Sequence, residues 1–171
     1  MEQLTHETTF FTSQQFPITV VCDNVYLQQN IGSIFRICEA FGVEKIIFTG
    51  ANFVFSERKI NKTSRNTHKT VPYEIIPNTA QILHFLQTSK AQIIALEITT
   101  ESKPISEISI KKNEPIILLI GSEIYGISTE LLAKTQNAYH IKMFGKNSSI
   151  NVAQALGIAL YEITQKYSKW K

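Results

Sequence analysis

Two patterns of apolar residues alternate along the chain. Short runs rich in β-branched residues, Ile18 to Cys22, Lys45 to Phe48, Tyr73 to Ile76, Gln92 to Leu96, Pro115 to Ile120 and Ala138 to Lys142, have the length and composition of strands. Pro17 stands at the start of the first, and the last runs on through Met143 into a polar loop. Between the runs, apolar residues recur every three or four positions. Ile31, Ile34, Phe35, Cys38 and Phe41 form one such stripe, which predicts a helix capped by Asn30 and ended by Gly42 as its C′ residue. Gly32 and Arg36, four apart, fall on a different face of that helix. Ile82, Leu83, Phe85 and Leu86 predict a helix from Asn78 to about Lys90, and Ser128 starts a short one to about Lys134. Val152, Ala155, Leu156, Ala159, Leu160 and Ile163 give the clearest helix, with Ser149 and Asn151 both suited to its N-cap. Residues 97–110 read as a polar connection with a short turn of helix. Strand and helix alternate from the start, which predicts an α/β fold with a mostly parallel sheet flanked by helices. Residues 1–17 form a polar lead-in and 18–171 the domain.

Composition narrows the class without naming a function. A chain of 171 residues, 43% hydrophobic and 18% charged, suits one domain with a full core. No apolar run reaches the ~18 residues of a membrane span, and no basic leader precedes an apolar one. Cys22 and Cys38 lie in apolar contexts with no CxxC spacing, which suits core thiols of a cytoplasmic protein. His6, His68, His84 and His140 are scattered without ligand spacing, so no metal is expected. There is no P-loop and no GxGxxG, which disfavours a nucleotide-binding domain of that type. The net charge of +3 leans mildly towards an acidic partner such as RNA.

Charge is concentrated between Ser56 and Thr70. Arg58, Lys62, Arg65 and Lys69 are spaced to line one helical face, either as a solvated surface or as a phosphate track. The chain also ends on Lys166, Tyr167, Lys169, Trp170 and Lys171, a basic and aromatic tail. Two further stretches suit a small polar ligand. Gly121 allows a sharp turn at the end of the most apolar strand, where open α/β sheets bind ligands. The strand–loop–helix from His140 to Tyr161 aims several backbone N–H groups at one spot.

Three stretches in order, Asn30-Ile31-Gly32-Ser33-Ile34-Phe35-Arg36, Gly121-Ser122-Glu123-Ile124-Tyr125-Gly126 and Ile141 to Ala155, read NxGxxxR, GSExxG and IxMxGxxxSxNVxxA. They resemble the motifs of the SpoU/TrmH family in the SPOUT class of RNA methyltransferases, over about residues 18–166. The resemblance implies a C-terminal trefoil knot, a homodimer, and methylation of an RNA ribose 2′-hydroxyl; the single-domain architecture favours tRNA over rRNA. It implies S-adenosylmethionine as cofactor, held at Leu96, Gly121, Ile141 and Ile150. It assigns activation of the hydroxyl to Arg36, which could equally clamp a phosphate or orient the ribose, since guanidinium has no acceptor. Glu123 is the expected carboxylate partner of Arg36. Asn30, Ser149 and Asn151 are suited to positioning ribose, and Arg58, Lys62, Arg65 and Lys69 to holding RNA. A non-catalytic RNA-binding relative is the alternative. The chain departs from the family pattern in having Lys142 where a proline is frequent and no proline in Val25 to Gln29, departures that bear on loop rigidity and substrate choice, and in having Ile150 where leucine is usual.

Overall fold

The computed structural model describes residues 3–5, 8–9 and 11–169. His6 and the end of the tail, Trp170 and Lys171, lie outside the described residues, as does part of the lead-in. Seven strands, β1 (Phe16–Asp23), β2 (Val43–Thr49), β3 (Tyr73–Ile76), β4 (Gln92–Leu96), β5 (Lys103–Pro104), β6 (Ile116–Ile120) and β7 (Asn137–His140), form one sheet in the order β3-β2-β1-β6-β4-β7-β5. Every pairing is parallel, so the carboxyl ends of all strands share one edge. Five helices cover it: α1 (Gln28–Ala40), α2 (Glu57–Ser64), α3 (Thr79–Thr88), α4 (Thr129–Leu132) and α5 (Val152–Ser168).

Strand periodicity sorts the core into two layers. Ile18, Val20 and Cys22 of β1 join Leu118, Phe48 and the buried stripes of α1 and α5 on one face. Val21, Ile47, Ile117 and Leu119 meet Ile82 and Leu86 of α3 and Leu131 of α4 on the other. Phe35 is fully buried and packs against Phe48, Phe55, Tyr73 and His68.

Several expectations need correction. Asn30 is not the cap of α1: the helix begins two residues earlier, with Leu27 at the cap position and no side-chain cap bond. The long basic helix is broken. α2 stops at Ser64, Arg65 and Asn66 adopt left-handed backbone (φ 50° and 71°), and a separate 3-10 turn covers Thr67–Lys69. β7 ends at His140, so residues 141–150 are loop rather than strand. Between β4 and β6 the expected short turn of helix is present as a 3-10 turn, Ile105–Glu107, and a two-residue strand that was not expected precedes it. Asn78 and Asn151 do cap their helices, and Gly42 takes the left-handed C′ conformation (φ 61°).

Candidate active site

A cavity of about 510 Å³ opens at the carboxyl ends of β4, β6 and β7, within the size range of small-molecule sites. Leu96, Gly121, Ile141 and Ile150 all line it, together with Ser122, Glu123, Met143 and Ser149. Its walls are joined by backbone contacts. Ser122 and Gly126 exchange hydrogen bonds, Ser122 N donating to the Gly126 carbonyl at 3.2 Å and Gly126 N to the Ser122 carbonyl at 2.9 Å. Gly121 is required by close approach, not by a special turn of its own. A Cβ there would lie 2.1 Å from the Gly126 carbonyl carbon and 2.3 Å from Ile127 N. The turn itself is made by Gly126, at φ 66°.

Two ionisable lining residues had no motif to mark them. Glu97 follows β4, and its carboxylate accepts from Ile98 N at 2.9 Å and Ile127 N at 3.1 Å, tying the first loop to the second. His140 ends β7, with Nδ1 held 2.9 Å from the Ser102 hydroxyl. A carboxylate after a buried strand is a faint signal for the first; the second opens the stretch from His140 to Tyr161 that suits a polar ligand. Asp23, buried at the end of β1, was also missed. It accepts from Ser128 N at 2.7 Å and so serves the start of α4, where the Ser128 side chain makes no cap bond.

Beside the cavity, α1 meets α5. Asn151 Oδ1 accepts from Ala153 N and Gln154 N, capping α5, while its Nδ2 donates to Asn30 Oδ1 at 3.0 Å. Ser149 is exposed and makes no cap bond, although it lines the cavity. Asn30 Nδ2 is shielded and meets no acceptor among the described residues, which costs stability unless a ligand or neighbouring chain supplies one. Arg36 lies on the exposed side of α1. The expected ion pair with Glu123 is not formed; among the described residues Arg36 has no carboxylate partner, and Glu123 faces the cavity instead. Asn30, Asn151, Ser149 and the four cavity positions are thus gathered at one edge, with Arg36 outside that cluster.

Gly32 does not share a free face with Arg36. It is buried against α2, where a Cβ would lie 2.0 Å from Thr63 Oγ1 and 2.5 Å from the Ile60 carbonyl oxygen. Arg58 and Lys62 stand exposed on α2, Arg65 on the left-handed corner and Lys69 on the 3-10 turn. Lys69 Nζ is 3.6 Å from Glu57, which lowers the free charge of the segment. The corner is held from inside by His68, whose Nδ1 lies 2.8 Å from the Ser64 hydroxyl. His68 Nε2 is 3.5 Å from Glu57 without the alignment of a hydrogen bond. Among the described residues no group of three or more His, Cys, Asp or Glu is placed to hold a metal ion. No described helix is long and apolar enough to cross a membrane.

The chain is similar to several known proteins. A tRNA (guanosine(18)-2′-O)-methyltransferase of Aquifex aeolicus is 33% identical over 150 residues, covering 87% of this chain and 69% of the relative. One of Thermus thermophilus is 29% identical, covering 91% and 78%. Among solved structures, the A. aeolicus TrmH/SpoU tRNA modifying enzyme superposes with a TM-score of 0.79 at 28% identity, over 92% of this chain and 78% of that one. An AdoMet-bound rRNA methyltransferase from Sinorhizobium meliloti gives 0.81 at 26%, over 89% and 57%. The model of the SpoU rRNA Methylase family matches residues 17–161, from the first strand into the last helix, and the chain belongs to that family.

Proposed function

We propose that this protein methylates a ribose 2′-hydroxyl of RNA with S-adenosylmethionine, and that its substrate is tRNA in preference to rRNA. The observation that carries the reading is the placing of the second and third motifs around one cavity, with the Asn151–Asn30 hydrogen bond joining the first motif to the third. The cavity fits the cofactor. Leu96, Ile141 and Ile150 supply apolar walls, the backbone around Gly121 supplies hydrogen-bonding groups, and Glu97 and Glu123 supply negative charge suited to a sulfonium. When bound, the cofactor provides an electrophilic methyl group. The chain's task is to align the hydroxyl with it and to let the proton leave. Asn30, Ser149 and Asn151 hold the ribose. Arg36, exposed and without a carboxylate partner, is suited to gripping the adjacent phosphate. Having no acceptor, it leaves the proton to a phosphate oxygen or water.

The same proposal extends to Arg58, Lys62, Arg65 and Lys69 as RNA contacts, to residues 18–171 as the catalytic domain after a lead-in of 1–17, and to action in the cytoplasm. A homodimer accords with Ile158 and Tyr161, which leave α5 42% and 55% exposed. A C-terminal knot accords with the sheet order, since β7, late in the chain, is inserted between β4 and β5. Calorimetry with S-adenosylmethionine and transfer of labelled methyl to unmodified tRNA transcripts test the reading. Saturable cofactor binding with ribose methylation is the expected result. Absence of cofactor binding sinks the reading, while binding without transfer leaves the non-catalytic relative. Mapping ribose methylation in tRNA and rRNA from cells with and without the protein decides between the two substrates.

A further inference from the structure

The first turn of α1 is stitched to α2 at two separate places. At the far end, the Thr63 hydroxyl donates to the Gln29 carbonyl at 3.1 Å, beside the close approach at Gly32. At the near end a single side chain does the work. Gln28 Nε2 donates to the Val54 carbonyl at 2.7 Å and the Tyr26 carbonyl at 3.2 Å, and Gln28 Oε1 accepts from Ser56 N at 2.8 Å. Both polar ends of the carboxamide are therefore used, and two of its three partners lie 26 and 28 residues along the chain. Ser56 is the cap residue of α2, whose carbonyl accepts the first helical bonds from Lys59 N and Ile60 N. Gln28 stands two residues before Asn30, so one turn holds the Asn30–Asn151 pair on one side and the start of the basic helix on the other.

We propose that Gln28 is a positioning residue that fixes α2, and with it the cations Arg58 and Lys62, in register with the ribose-holding groups, so that RNA gripped by α2 presents its hydroxyl to the cavity. The proposal rests on the reading given under Proposed function. Lost conformational freedom explains why one amide matters. The segment from Ala51 to Phe55 has no secondary structure beyond a turn, and the residue that follows it must start a helix at a defined place. Gln28→Ala removes this near stitch and leaves the Thr63 and Gly32 contacts, so α2 stays folded but loses its fixed starting point. Gln28→Glu keeps the acceptor for Ser56 N and sets a carboxylate against two carbonyl oxygens, so it does not rescue.

The test is binding of unmodified tRNA transcripts, read by fluorescence anisotropy, combined with steady-state methylation. Gln28→Ala is expected to weaken tRNA affinity and raise the RNA KM by about fivefold, the scale of one misplaced phosphate contact, with kcat and cofactor affinity little changed. The decisive arm is a double-mutant cycle. In a background of Arg58→Ala with Lys62→Ala, Gln28→Ala is expected to have no further effect, because it acts through those cations. Full additivity in that cycle overturns the proposal, as does an unchanged KM in Gln28→Ala alone. A fall in kcat and KM effect that tracks loss of melting temperature also overturns it, since that marks a structural role only. Wild-type protein that binds no tRNA overturns the functional reading and the proposal with it, whereas wild-type binding with an unaltered Gln28→Ala overturns the proposal alone.

Discussion

At the carboxyl edge of the sheet, β4, β6 and β7 end in loops joined by main-chain groups, whereas β1 and β2 end in loops joined by side-chain amides and hydroxyls. The cavity depends on two glycines, the Ser122–Gly126 bridge and a carboxylate that accepts from two backbone N–H groups. The α1–α2 region depends on Gln28, Asn30, Asn151 and Thr63. The difference teaches where each half is vulnerable. The cavity is sensitive to added volume at its glycines, while the α1–α2 region is sensitive to the loss of individual functional groups.

The largest expected effect lies in the second region. Arg36→Ala should lower kcat by roughly a hundredfold or more while leaving cofactor affinity and circular dichroism unchanged. Arg36→Lys keeps charge without the planar fork, so substantial activity there supports a phosphate-holding role. Wild-type methylation by Arg36→Ala would break the assignment. The cavity is tested by volume. Gly121→Ala should weaken cofactor binding by about ten- to a hundredfold, because backbone atoms at 2.1 Å and 2.3 Å must move. Calorimetry giving wild-type affinity would show that the loops shift cheaply and erase the contrast between the two regions. A smaller effect belongs to the basic helix. Arg58→Ala with Lys62→Ala should raise the RNA KM severalfold and reduce the salt slope of binding by about one per cation in phosphate contact. An unchanged slope would return both residues to the solvated surface.

The smallest effect lies beneath both regions. Burial raises the thiol of Cys22, with Cys38 and Asp23 adding to it, and burial likewise raises that of Cys38. Both are therefore neutral in the fold when the unfolded chain would ionise them. Their contribution to stability is complete below the unfolded thiol value of about 8.5 and is lost as pH rises past it. Melting followed from pH 7 to 10 should show the decline, and native protein should resist thiol alkylation at pH 8. Rapid labelling of either cysteine would contradict the burial.

Much of this was readable in the sequence where local and tertiary preferences agree. The β-branched runs gave every strand but β5, and the side chains of Asn78 and Asn151 cap the helices they precede. The cavity positions came from the family resemblance, because Leu96, Ile141 and Ile150 by themselves are indistinguishable from core residues. What was not readable has physical causes. α1 starts at Gln28 because its first turn is anchored by long-range bonds to residues 54–56, which no local cap signal reports. The break at Arg65 escaped because arginine carries no bias towards left-handed backbone. The absent Arg36–Glu123 pair, and the bonds of Glu97, depend on how loops distant in sequence face one another. The missing proline in Val25 to Gln29 was noticed as a change in rigidity, and the structure puts the Gln28 carboxamide within that stretch as a tie of another kind.

The position of β7 has a consequence for the birth of the molecule. Its neighbours β4 and β5 precede it in the chain, and α5, which follows it, covers β4 and α1 and carries the Asn151 half of the asparagine pair. During synthesis, a nascent chain halted after the loop from Gly121 to Gly126 has neither the far wall of the cavity nor the partner of Asn30. The cavity is thereby completed only once the chain has been translated through the start of α5.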